Sequence, residues 1–424
     1  MRKWVALLLS TLILLTLVAV IGCGNREADV ASTTPVSFSI PKDELDPAVW
    51  GKAFPDHYAS YLKNNEGGMT EYGGSDPVSK FESQPLLTEL FKGHGFSIEF
   101  KEDRGHTLSL KDVKETKRIT AKSTASCMMC KTPTAPKLVA EMGIDFYKQP
   151  FSEMIKKAEH PIVCADCHDP KTMQLRAVRQ PFIKAMERRG VDISKAGRQE
   201  MRSYVCAQCH VEYYFERDTK EVTFPWDKGF TPDEMESYYE EVEPGFSDWE
   251  HPDSKAPMIK AQHPEFEAFQ NSTHASAGLA CADCHMPYMK VGKNKISSHQ
   301  WTSPLKTISQ SCGTCHRQGE DWLKERVNYI QSKTFNLLLE AQAASNDAHK
   351  AVQKALSVRG ADEKLIKDAQ VLVVRGQWRW DYVAAENSTG FHNPVLLIET
   401  LGKSIDQSRQ AQILAEGAIA GAKQ

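Results

Sequence analysis

Ten of the chain's 11 cysteines stand in five Cys-x-x-Cys pairs, with first members at 127, 164, 206, 281 and 312. In four of the pairs a histidine follows at once: Cys164, Cys167 and His168; Cys206, Cys209 and His210; Cys281, Cys284 and His285; Cys312, Cys315 and His316. The fifth, Cys127-Met128-Met129-Cys130-Lys131, ends in lysine. A shuffled chain with the same 11 cysteines and 14 histidines would hold roughly 0.01 copies of Cys-x-x-Cys-His. Four copies identify the attachment signature of c-type haem, in which the two sulfurs bond the porphyrin and the next side chain ligates the iron. Zinc ribbons need two cysteine pairs per ion and have no reason to place histidine after each. Redox Cys-x-x-Cys motifs usually come singly. Five covalent haems c are therefore expected, and Lys131 marks the one iron that is ligated differently.

That spacing decides the fold class. The stretches between signatures are too short for an independent protein core, so the porphyrins must be the core, wrapped by short helices and loops. From Pro41 to about residue 320, Pro, Gly and polar residues interrupt every apolar run, and no strand alternation is visible. After His316 the pattern changes. Leu323, Val327, Ile330, Leu337, Leu338, Ala341, Ala344, Ala348, Val352 and Leu356 step by threes and fours, as one face of a helix does. Arg359-Gly360 breaks the run, residues 365–383 begin a second face, and Asn393-Pro394 opens a third helix. The expectation is a mainly α, multihaem cytochrome c fold with little β structure, a haem-packed core and long C-terminal helices.

The N-terminus reads as an export signal over residues 1–22, with Arg2 and Lys3 ahead of an apolar run from Val5 to Ile21. The run is short for a membrane span. It ends in Val20-Ile21-Gly22-Cys23, which resembles the cleavage box of bacterial lipoproteins and gives the unpaired Cys23 a purpose as the acylated residue. Residues 23–40 then form the lipidated cysteine and a polar tether, 41–320 the pentahaem catalytic region, and 321–424 the long-helix region. An exported protein on the outer face of the cytoplasmic membrane, or in the periplasm, follows. A net charge of −3 and the lack of a long basic run give no sign of nucleic-acid binding.

Bis-histidine ligation of four haems needs four further histidines. Ten lie outside the signatures, at 57, 94, 106, 160, 251, 263, 274, 299, 349 and 392, and spacing alone does not choose among them. Taken together, the lysine signature, Arg104-Gly105-His106, the run Cys209-His210-Val211-Glu212-Tyr213-Tyr214-Phe215, Lys260-Ala261-Gln262-His263-Pro264-Glu265 and Gly390-Phe391-His392-Asn393-Pro394 resemble the ammonia-forming pentahaem cytochrome c nitrite reductases. The resemblance implies the ligand pairs His168 with His299, His210 with His106, His285 with His392, and His316 with His274. His57, His94, His160, His251 and His349 are left without a role.

The same resemblance implies the chemistry. A bis-histidine iron can only pass electrons, whereas Lys131 would donate from one face and leave the other to nitrite. The distal pocket would be Arg118, Tyr213 and His263. Arg118 and a protonated His263 would meet the anion, and Tyr213 and His263 would supply protons. Arg104 competes with Arg118 for the pocket position. Glu212 and Gln262 side chains with the Tyr213 and Lys260 carbonyls resemble the family's calcium site, an oxygen set suited to a hard cation. The expected function is six-electron reduction of nitrite to ammonium. The family further implies a membrane tetrahaem quinol dehydrogenase as electron donor and a homodimer formed through the long helices. A cytochrome that only conducts electrons is the alternative, and it would hold low-spin, six-coordinate haem alone.

Overall fold

The computed structural model describes residues 39–420 and 422. The signal, Cys23 and the tether therefore lie outside the described residues. Among the described residues no helix is long and apolar enough to cross a membrane.

Three helices dominate the C-terminal quarter: Glu320–Ser357 of 38 residues, Glu363–Ala385 of 23 and Pro394–Ala420 of 27. Their ends follow local chemistry. Asp362 accepts from the amides of Lys364 and Leu365 at 2.8 and 3.1 Å, capping the middle helix. Pro394 occupies the first position of the last helix, where a missing amide costs nothing. The long helix buries Ala341, Ala344, Ala348, Val352 and Ala355 on one stripe, and the last helix buries Leu397, Leu401, Ala411, Ala415 and Ala418. Small side chains let the axes approach closely. At Gly376 of the middle helix a Cβ would stand 2.5 Å from Ser408 Oγ, and Ser404 Oγ donates to the Gly376 carbonyl at 2.6 Å.

Ahead of these helices the chain is built as the sequence predicts, from short helices of at most ten residues, 3-10 turns and loops. Among the described residues four two-stranded antiparallel hairpins are added: Met69–Thr70 with Gly73–Gly74, Tyr214–Phe215 with Val222–Thr223, Trp249–Glu250 with Pro257–Met258, and Tyr288–Val291 with Asn294–Ser297. Strands of two to four residues are too short to show alternation, so no periodicity marks them. Residues 40–424 make one unit. The change at residue 320 is one of element length, because a single apolar cluster runs through both regions. Phe91 meets Trp380 of the middle helix at 5.5 Å between ring centres, and Trp226 lies 5.5 Å from Phe266. The body thus shares a protein core with the long helices, which the signature spacing alone did not suggest.

Candidate functional site

Each signature sits on one tight turn. His168, His210 and His316 donate their amides to the carbonyls of Cys164, Cys206 and Cys312 at 2.9, 3.0 and 2.9 Å. That bond brings the first cysteine and the histidine to the same side of the turn. At the lysine signature the amide of Lys131 instead reaches the Met128 carbonyl at 3.0 Å, following the 3-10 turn Ala125–Met128.

The structure brings the eight expected histidine ligands together two by two. Ring centres lie 6.2 Å apart for His168 and His299, 5.9 Å for His210 and His106, 6.2 Å for His285 and His392, and 6.3 Å for His316 and His274. A metal bonded to one nitrogen of each ring at about 2.0–2.1 Å, with each ring centre roughly 1.1 Å farther out, requires about 6.3 Å. The donors present therefore fit haem iron. His168, His285 and His299 also direct Nδ1 at the carbonyls of Met173, Thr302 and Ser297, at 2.9, 3.2 and 2.9 Å, which orients the other ring nitrogen inward.

Thiol neighbours order the five sites in space. The thiol of Cys130 lies near enough to that of Cys209, and Cys206 to Cys281, for each to perturb the other's proton affinity. The Cys284 and Cys312 sulfurs interact, as do those of Cys167 and Cys209. The lysine site thus adjoins the Cys206 site, which leads through the Cys281 site to the Cys312 site, with the Cys164 site to one side. Sequence reasoning had no means of finding this order.

Around Lys131 the structure gathers Asp103, Arg118, Tyr213 and His263. Lys131 Nζ lies 3.4 Å from Asp103 Oδ2, and that carboxylate raises the affinity of the amine for its proton against the effect of burial. Iron ligation would have to displace this proton. Burial works against the Asp103 charge, yet Lys131, His263 and Arg118 hold its carboxyl well below the usual range. Arg118 donates from Nε to Thr116 Oγ1 at 3.2 Å, and its guanidinium stands 4.2 Å from the Phe96 ring centre. Arg104 is committed elsewhere. Its Nε meets Asp112 Oδ1 at 2.5 Å and its terminal nitrogen meets Glu115 at 3.0 Å, so Arg118 is the arginine facing this group. Burial pushes the Tyr213 hydroxyl well above its ordinary value, which keeps it a proton donor. Burial and then the Lys131 charge push His263 down to about 3, with Asp103 pulling the other way. Lys131 and Arg118 both bring positive charge to this group.

The run that carries His263 is pinned amide by amide. The backbone NH groups of Lys260, Ala261 and Gln262 donate to Asp248 Oδ2, Asp381 Oδ2 and Glu212 Oε2 at 2.8, 2.9 and 2.6 Å. Lys260 Nζ, almost wholly buried, pairs with Asp381 at 2.7 Å and lies 5.0, 4.7 and 5.4 Å from the ring centres of Phe91, Phe96 and Phe100. Asp103, Asp248, Asp381 and Phe96 were not found from the sequence. No local motif marks them, and Asp381 lies 121 residues from Lys260.

Glu212 fits a calcium ligand. It is fully buried, and Oε1 has no hydrogen-bond partner although Oε2 has one. A buried carboxylate oxygen without a donor is costly unless a proton or cation meets it. Burial accordingly pushes its pKa well up. Gln262 Nε2 donates to the Lys260 carbonyl at 3.0 Å, so two of the expected calcium-binding residues touch each other. One carboxylate with amide and carbonyl oxygens suits calcium. No cluster of three or more His, Cys, Asp or Glu side chains fit to hold a metal occurs among the described residues.

A family model described as cytochrome c552 matches residues 46–423. Cytochrome c nitrite reductase subunit NrfA of Nitratidesulfovibrio vulgaris is 41% identical over 441 aligned residues, which take in 95% of this chain and 84% of that one. A cytochrome c-552 of Parabacteroides distasonis is also 41% identical, over 82% of this chain and 72% of its own. Among solved structures, the catalytic subunit of cytochrome c nitrite reductase from Desulfovibrio desulfuricans, described for its two calcium sites, is similar with a TM-score of 0.86. It is 40% identical, with 91% of this chain and 89% of that one covered.

Proposed function

The chain belongs to the cytochrome c552 family, and from that premise we propose that it reduces nitrite to ammonium in a six-electron reaction. It is an oxidoreductase and a c-type cytochrome, and its relatives include nitrite reductases. What carries the finer reading is an asymmetry. Four signatures end in a histidine that faces a second histidine at 5.9–6.3 Å between ring centres, while Lys131 keeps company with Arg118, Tyr213 and His263.

Haem c at these sites supplies electrons and, at Lys131, an iron position for the nitrogen of nitrite. Lys131 Nζ would be the side-chain ligand of that iron. Arg118 holds the anion by charge-assisted hydrogen bonds to its oxygens, in a pocket where the guanidinium is already oriented. Tyr213 O–H and a ring N–H of His263 donate protons to oxygen as each N–O bond breaks, and protons from solvent restore them. Glu212, Gln262 and the carbonyls of Tyr213 and Lys260 would hold calcium, whose charge would add positive potential where nitrite arrives.

Residues 41–320 carry this catalysis. The long helices of 321–424 join two copies into a homodimer. Export and acylation at Cys23 hold the enzyme on the outer face of the membrane, and a second acyl chain or a partner makes the anchor firm. There a membrane tetrahaem quinol dehydrogenase delivers electrons.

The test is nitrite-dependent oxidation of a reduced dye by the purified holoprotein, with ammonium quantified. Ammonium in a 1:6 ratio to electrons consumed is expected; dye oxidation without ammonium would overturn the reading. Lys131→His, with haem content checked, is expected to keep all five haems and lose turnover.

A further inference from the structure

Three of the paired histidines back their Nδ1 with an uncharged backbone carbonyl, those of Met173, Thr302 and Ser297. His392 differs. Its Nδ1 lies 2.5 Å from Oε1 of Glu386, a residue 1% exposed. The carboxylate is held from several sides. Oε1 also accepts the Ser388 amide at 3.1 Å and Oε2 the Ser388 hydroxyl at 2.8 Å, while Ser388 Oγ accepts the His392 amide at 2.8 Å. Glu386, Ser388 and His392 form one rigid corner between the middle and last helices. Elsewhere a carboxylate only approaches a paired histidine: Glu265 Oε2 stands 3.8 Å from His210 Nδ1, beyond hydrogen-bond reach.

We infer that Glu386 is a positioning residue that sets the reduction potential of the haem attached at Cys281 and Cys284, making it lower than an uncharged acceptor on His392 would leave it. The inference rests on the reading that His392 and His285 ligate that haem. An anionic acceptor on Nδ1–H draws the proton toward itself, which makes the far nitrogen a stronger donor to the metal. A fixed negative charge in a buried setting also favours the more positive oxidation state of a nearby iron. Both effects stabilise the ferric form. The thiol neighbours put this site between the Cys206 and Cys312 sites, so the lowering acts in the interior of the electron wire, not at its catalytic end.

The experiment is a spectroelectrochemical titration of five-haem holoprotein, comparing wild type, Glu386→Gln and His392→Ala. The glutamine keeps size and an acceptor oxygen but removes the charge. One midpoint is expected to move up in Glu386→Gln while the others stay, and His392→Ala is expected to turn one low-spin haem high-spin. If His392→Ala alters one haem but Glu386→Gln leaves every midpoint in place, the inference fails and the ligand reading stands. If His392→Ala leaves every haem low-spin, the ligand reading itself fails. A measurement without a variant guards against misfolding: in the unaltered protein one low-spin EPR signal is expected to show the narrowed g spread of an imidazolate-like ligand. Low-spin signals that all show ordinary neutral-imidazole spreads would overturn the inference.

Discussion

At the scale of single residues, one ring carries two of the charges that matter. Phe96 has the Arg118 guanidinium 4.2 Å and the Lys260 ammonium 4.7 Å from its ring centre. Such contacts contribute about 0.5–2 kcal/mol each, and about 1.4 kcal/mol is tenfold in binding. Phe96→Leu is thus expected to raise the KM for nitrite by roughly twofold to thirtyfold, with haem content unchanged; an unaltered KM would mean Arg118 is placed by Thr116 alone. Glu212 makes a second prediction. With a buried oxygen that lacks a donor, it needs a cation or a proton. Chelator treatment of the wild type is expected to lower nitrite turnover, and Glu212→Gln to be slow from the start and indifferent to chelator. Metal analysis of both proteins checks the cause, one calcium per chain being expected from this site in the wild type and none in the variant. Residues of this kind divide cleanly in how far the sequence exposes them. Attachment cysteines and their following ligand lie within five positions and are legible by eye. Glu212 and Lys260 needed a resemblance. Phe96, Asp248 and Asp381 escaped both routes, because a cation–π contact or a carboxylate on a distant amide leaves no trace in local spacing.

At the scale of elements, periodicity found the first two long helices almost to their ends, and the start of the third, since a 3.6-residue repeat over 23 to 38 residues accumulates signal. It missed the hairpins for want of length. It also could not see that the corner at 386–392 depends on a glycine. Gly390 has φ +91°, and a Cβ there would stand 2.2 Å from Thr334 Oγ1 on the first long helix. Both the backbone and the space exclude a side chain. Gly390→Ala is expected to cost about 1–3 kcal/mol through overpacking, and to shift the loop carrying Glu386 and His392. Its signature is the conversion of one low-spin haem to high-spin with covalent haem content intact. Thr334→Ala in the same chain, by opening the space, is expected to restore part of the low-spin signal. A Gly390→Ala protein with wild-type EPR would show that the corner tolerates the displacement.

For the whole molecule, the question is what the long helices do beyond packing on each other. Their inward stripes of alanine, valine and leucine are already buried, so an intersubunit role has to come from what they leave outside. The first long helix leaves Trp322 and Tyr329 51% and 55% exposed, seven residues apart and so nearly on one line of the helix. Arg326 stacks against Tyr329 at 5.5 Å and Lys333 at 5.7 Å, which extends the flat surface with alkyl stems. Large aromatics of this kind, flanked by arginine, are enriched where proteins meet. In a two-fold dimer the same patch recurs on both partners, so each substitution is felt twice. Trp322→Glu with Tyr329→Glu would bring like charges into apposition across the axis and is expected to yield monomer by sedimentation velocity. Neither residue lies near Lys131 in sequence or among the groups around it, so turnover per haem in that monomer should stay within about twofold of wild type if each subunit holds a whole site, surface substitutions away from such features costing about 0.5 kcal/mol or less. A dimer that survives both charges would move the interface to another face, and a monomer that loses turnover would mean that the partner helps to hold the site.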